Sequence, residues 1–290
     1  MSENNFGSAE QLVKKTFAER QLIVVSGKEA IEAVNKAEQE EKKDKEDKSK
    51  WLDIALNTIS IGNGWQASVG KIIGAASIEV YQNLRKAWDK GLPIQVVSLN
   101  SAAHLIFPPG HPRLDTVYAC HPANPTTYYP LADFHRIAFE GKFAEAMTLL
   151  MALGANHFRV ERVSGWSSDF AANMTTDGLI ANAASVSAEA SRTNQRTNSM
   201  LFEASLETKH APQLPEKLIW YHHEATWQSI ATGRLKYGLS AFKINVSYRD
   251  DYGIDSKLAA SIQGAGLGIG GSFEAHQSTV WQIEGTFQDI

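Results

Sequence analysis

The stretch "LGANHFRVERVS", residues 153 to 164, is where the chain changes its hydrophobic period. Before it, Phe143, Met147 and Leu150 fall three or four residues apart, a spacing that puts apolar side chains on one face of a helix. Within it, Phe158 and Val160 alternate with Arg159 and Glu161, the two-residue spacing of a half-buried strand. Gly154 stands between the two patterns, where a left-handed residue ends a helix at no steric cost.

The alternation then recurs. Ala184, Val186, Ala188 and Ala190 alternate with Ser185, Ser187, Glu189 and Ser191, and Phe202, Ala204 and Leu206 with Glu203 and Ser205. After a helical pattern from about Pro215 to Tyr237, Phe242, Ile244, Val246 and Tyr248 alternate with Lys243, Asn245 and Ser247, and finally Trp281, Ile283 and Phe287 with Gln282, Glu284 and Thr286. Strands that follow one another with occasional helices, rather than strictly alternating with them, point to an α+β fold. The expectation is a helical N-terminal third, residues 1–91, followed by a sheet domain over residues 92–290. That domain should hold about six mainly antiparallel strands with helices packed on them.

One internal correspondence suggests two related halves. Gly154 is followed four residues later by Phe158-Arg159-Val160-Glu161, and Gly238 by Phe242-Lys243-Ile244-Asn245, each after a helix. A duplicated helix-strand unit accounts for this; so does turn chemistry shared by any glycine-capped helix that leads into a strand.

In the N-terminal third, Ser8-x-x-Gln11 and Ser26-x-x-Glu29 are capping-box patterns that predict two helix starts. Residues 38–50, "EQEEKKDKEDKSK", carry both signs of charge and no apolar residue, as a solvated linker does. Between Lys71 and Trp88, Ile73, Ala76, Val80, Leu84 and Trp88 form an amphipathic helical face, stopped by Gly91 and Pro93. Two shorter helical pieces are expected over residues 131–139 and 143–153.

Composition bounds the function. A net charge of −4 disfavours generic nucleic-acid binding, which calls for a basic face. Cys120 is the one cysteine, so no internal disulfide can form, and with no signal-peptide pattern at the N-terminus the expected location is cytoplasmic. The charge-free stretch at 54–70 is too short and polar for a transmembrane helix.

Three features are candidate sites. The first is "QGAGLGIGGSFEAH", residues 263–276, whose Gly266, Gly268 and Gly271 have G-x-G-x-x-G spacing. A dinucleotide turn needs a strand before and a helix after; here "DSKLAASIQ" reads as helix and "STVWQIEGTF" as strand, so no nucleotide is expected at Gly264–Gly271. Leu267 and Ile269 on one side and bare glycines on the other imply close approach of another backbone, or a strand able to rearrange.

The second is a set of histidines, His104, His111, His121 and His135, with Cys120 among them. Imidazole and thiolate are zinc ligands, but the spacing matches no standard site. His111, His121 and His135 are the choices if the loops bind a metal. Catalytic patterns are otherwise weak: "VSGWSS" lacks the first glycine of a nucleophile elbow, and "RDDYG" at 249–253 reads as a turn. No cofactor is expected.

The third is the region from Trp166 to Leu206, where small apolar and hydroxyl or amide residues alternate around the polar tip "RTNQRTN". The pattern resembles the membrane-inserting hairpins of gasdermin-like and perforin-like pore formers. It is also, and more commonly, the pattern of a sheet hairpin with one face on a core. The resemblance is in patterning alone and transfers no functional residue. The residues that would carry a membrane or assembly role are Val186, Ala188, Phe202, Ala204 and Leu206, with Leu267 and Ile269 in the glycine segment. The expected function is therefore non-catalytic: a binding or self-assembling effector, with a conditional pore-forming hairpin as its most concrete form. The second reading is a hydrolase using the histidine-rich loops over residues 104–135, with or without metal.

Overall fold

The computed structural model describes residues 9–27, 75–166, 200–207 and 211–289. The fold is α+β with two mostly antiparallel sheets of four strands each. The expected charged linker at 38–50 lies outside the described residues. The chain divides into two compact units, Met1–Phe134 with Gly253–Glu274, and His135–Tyr252 with Ala275–Ile290. This division differs from a boundary at Gly91.

The first unit opens with helices α1 (Ala9–Lys14) and α2 (Phe17–Arg20) and strand β1 (Leu22–Ser26). Helix α3 (Ala75–Asp89), strand β2 (Ile94–Ser98), the short helix α4 (Leu99–Ala102), and strands β3 (Thr116–Cys120) and β4 (Tyr128–Pro130) follow. Their order in the sheet is β2-β1-β3-β4, with β1 and β2 parallel and the other pairs antiparallel. Every residue of β1 and β3 is buried, so both faces of this sheet are covered.

β1 adds a strand within the expected helical N-terminal third. "LIVVS" is a continuous apolar run with no alternation to betray it, which is how a strand covered on both faces reads. Ser26 ends this strand and donates its hydroxyl to Asp115 Oδ1 at 2.9 Å, and the rest of its predicted capping box lies outside the described residues. A capping box does form at α2, where Glu19 Oε2 accepts from the Thr16 N–H at 2.9 Å and the Thr16 hydroxyl at 2.6 Å.

Helix α3 matches the predicted amphipathic face. Val80, Leu84 and Ala87 are buried, and the Trp88 indole donates to the Ile94 carbonyl at 2.9 Å, pinning the helix end to β2. The first unit closes with helix α7 (Ser256–Gln263), capped by Asp255 through the Leu258 N–H at 2.8 Å, and then the glycine segment.

The second unit holds helix α5 (Phe134–Ala152), strands β5 (Ala155–Ser164) and β6 (Met200–Ser205), helix α6 (Ala225–Tyr237), and strands β7 (Ala241–Tyr248) and β8 (Thr279–Phe287). α5 is one helix of 19 residues preceded by a 3-10 turn at Leu131–Asp133, where the sequence predicts two pieces. Gly141 costs an interior helix only about 1 kcal/mol, and burial of Phe139, Phe143, Met147 and Leu150 along one face outweighs it. α6 is shorter than its predicted span from Pro215 because Glu145 takes the preceding backbone. Its carboxylate accepts from the N–H groups of Ile219 and Tyr221, each at 2.8 Å.

Candidate assembly surface

The four strands of the second sheet run in the order β6-β5-β8-β7, every neighbouring pair antiparallel. The two tetrads that correspond in sequence occupy the same rows on opposite sides of β8. Phe158 and Phe242 both pair with Gly285, Arg159 and Lys243 with Glu284, Val160 and Ile244 with Ile283, and Glu161 and Asn245 with Gln282. β8 is thus an axis flanked by two strands that each leave a helix through a left-handed glycine, Gly154 at φ 87° and Gly238 at φ 69°.

The two faces of this sheet differ. Phe158, Val160, Phe242, Ile244, Val246, Trp281 and Ile283 are buried on one. On the other, one row crosses all four strands as Glu203, Arg159, Glu284 and Lys243, so that charge alternates at every step. Opposite charges in directly facing positions each stabilise a sheet modestly, by about 0.2–1 kcal/mol. Side-chain exposures of 49% for Glu203, 37% for Arg159, 40% for Glu284 and 62% for Lys243 make this the wet face. Lys243 pairs with Glu284 at 3.3 Å and His157 with Glu203 at 3.1 Å, while Arg159 turns along its own strand to Glu161 at 2.6 Å.

Among the described residues both outer strands end in open edges, β6 on one side and β7 on the other. Two bonds beyond the strand ends fix which backbone groups point outward: Leu206 N–H to Asn156 C=O at 2.7 Å, and Phe287 N–H to Ser240 C=O at 2.8 Å. Pairing alternates along an antiparallel ladder. The N–H and C=O of Glu203 and Ser205 therefore point away from β5, and those of Ala241, Lys243, Asn245 and Ser247 away from β8. Among the described residues, only the Ser247 carbonyl is capped from the side, by Lys142 Nζ at 2.7 Å.

Two buried cations hold this unit together, and neither stands out in the sequence. Arg234 donates to the carbonyls of Leu153 at 3.0 Å, Leu239 at 3.1 Å and Gln288 at 2.5 Å, tying both glycine corners to the end of β8. Lys142 is paired with Glu224 at 2.5 Å and lies 5.0 Å from the centre of the Trp220 ring. Both are satisfied structural charges.

Of the residues expected to act in a membrane or assembly hairpin, Phe202 and Ala204 lie on β6, paired with Val160 and Phe158, and Leu206 follows directly after. Val186 and Ala188 lie outside the described residues. Leu267 and Ile269 are 4% and 2% exposed, which places them in the first unit's interior. Their segment is not the expected strand. It is a series of turns touching β3 through the single parallel bridge Thr116 to Gly268, with Val117 N–H bonded to Gly268 C=O at 2.8 Å. Close backbone approach explains the glycine: a Cβ on Gly268 would stand 3.2 Å from the Asp115 carbonyl oxygen.

The histidines have separate partners. His111 Nδ1 meets the Tyr118 hydroxyl at 2.8 Å, His121 Nδ1 accepts from the Ala123 N–H at 3.0 Å, and buried His135 meets the Tyr248 hydroxyl at 3.0 Å beside the ring of His276. Among the described residues no group of three or more His, Cys, Asp or Glu side chains could hold a metal ion. Cys120 is fully buried, and burial pushes its thiol up, away from the reactive thiolate. At "RDDYG" Asp250 Oδ1 accepts from the Tyr252 N–H at 2.8 Å and Tyr252 and Gly253 take positive φ, the geometry of a turn. Burial, aided by the charges of Asp250 and Glu224, pushes the Tyr252 phenol up to about 12.

None of the described helices is long and apolar enough to cross a membrane. No protein-family model, no curated protein and no solved structure matches this chain.

Proposed function

We propose that this protein works by binding and self-assembly, as a non-catalytic effector whose working element is the second sheet. The observation that carries this reading is the sheet's construction: a charged, solvent-facing side bounded by two edges that are open among the described residues. An open edge is a row of unpaired donors and acceptors, a ready-made template by which one chain adds to another.

The membrane form of the reading rests on where the alternating sequence is inserted. β5 and β6 are adjacent and antiparallel, paired from His157 with Ser205 to Glu161 with Met200, and the segment containing Val186 and Ala188 joins their far ends. Antiparallel neighbours need only 2–5 residues to connect them. The long alternating connection has the composition to extend the same two strands as a hairpin, with apolar residues toward lipid and polar ones toward a lumen. The protein is then expected to form large species on lipid vesicles and release an entrapped dye. Assembly without dye release would remove the membrane form and leave self-assembly standing.

A further inference from the structure

Resting on that reading, we infer that copies of this chain join head to tail, with the β7 edge of one docking on the β6 edge of the next and Lys243 facing Glu203. Three observations on this sheet converge.

The first is strand direction. Across the order β6-β5-β8-β7 each strand opposes its neighbour, so β6 and β7 run in opposite directions. A following copy placed in the same orientation sets its β6 antiparallel to β7, and the alternation continues unbroken.

The second is backbone parity. Lys243 and Ala241 turn their N–H and C=O outward from β7, as Glu203 and Ser205 do from β6. An antiparallel ladder requires facing residues to be outward-pointing together. Setting Lys243 opposite Glu203 and Ala241 opposite Ser205 satisfies that condition and keeps the apolar rows aligned, Phe242 beside Ala204. A register shifted by one residue would break the bonding and turn each side chain to the wrong face.

The third is charge. Within one copy the wet-face row reads Glu203, Arg159, Glu284, Lys243, and a second copy continues the same alternation across the joint. In the symmetric register each edge also disfavours its own kind: two β7 edges would bring Lys243 against Lys243, and two β6 edges Glu203 against Glu203. Edge charges commonly prevent strand addition; here one edge is cationic and the other anionic, so they select the joint between unlike edges. The contact is heterologous and closes into a ring or grows as a filament according to the rotation between copies.

The test uses the full chain carrying Lys243→Glu or Glu203→Lys. Each single variant places like charges across the joint and is expected to raise the concentration for half-assembly about tenfold or more. Mixing the two in equal amounts restores wild-type assembly, because each then meets an opposite charge on the other, and the double variant Lys243→Glu/Glu203→Lys assembles alone. Circular dichroism and the thermal midpoint of each variant verify that the fold is intact. If wild type assembles and both single variants assemble equally well, the joint is elsewhere and the inference fails while self-assembly stands. If both single variants lose assembly and neither the mixture nor the double variant regains it, the pairing of Lys243 with Glu203 is wrong. If wild type stays monomeric with and without vesicles, the self-assembly reading fails with it.

Discussion

At Gly285 the second sheet has room for a hydrogen and nothing larger. A Cβ there would run into the His157 carbonyl oxygen and stand 2.8 Å from the Phe242 ring and 2.9 Å from the Phe158 Cα. The two phenylalanines of the corresponding tetrads fill the row on either side of it. Gly285→Ala is therefore expected to cost about 1–3 kcal/mol of stability, the usual penalty of overpacking, read as a lower midpoint in urea. An unchanged midpoint would show that β8 can shift to make room. At His111, Nδ1 meets the Tyr118 hydroxyl at 2.8 Å, and the same hydroxyl accepts from the Arg113 N–H at 2.6 Å. Burial, and then the Arg113 charge, lower the histidine's pKa. The folded state thus binds fewer protons than the unfolded one, whose histidine titrates near about 6.5. Stability from this residue is complete above that value and is lost as pH falls through it toward the folded pKa. His111→Gln is expected to flatten the loss of stability between about pH 7 and 5 relative to wild type, measured by thermal melts across that range. An identical slope would contradict the assignment. Neither feature is visible in sequence, because a close approach between strands and a hydroxyl's second partner are set by residues distant along the chain.

Elements were legible where one face is wet. The alternation in β5, β7 and β8 and the face of α3 follow directly from residues such as Phe158, Lys243, Glu284 and Leu84, because a half-buried element must separate polar from apolar positions. β1 is hidden because both of its faces are covered, and the single helix α5 reads as two pieces because a glycine, Gly141, interrupts its pattern. Leu84 offers the direct check at this scale. It is fully buried, so Leu84→Asp places an unpaired charge in the first unit's core. A loss of several kcal/mol is expected, seen as a large drop in thermal midpoint. A wild-type midpoint would make that face an interaction surface.

At the scale of the whole molecule, the sequence contained the charges of the assembly surface but not their relation. Glu203, Arg159, Glu284 and Lys243 each appear as the polar partner in a separate alternation. Only the order β6-β5-β8-β7 aligns them into one row and leaves opposite signs on opposite edges. Of the expected hairpin, the return arm at Phe202 and Ala204 is an integral strand of that sheet, paired with β5. The measurement that bears most directly on self-assembly is the mass of the full chain by light scattering, across a range of concentrations and with and without lipid vesicles. A species of several times 31.9 kDa that grows with concentration or lipid and dissociates on dilution is the expected result. A constant mass of one chain under every condition would contradict it.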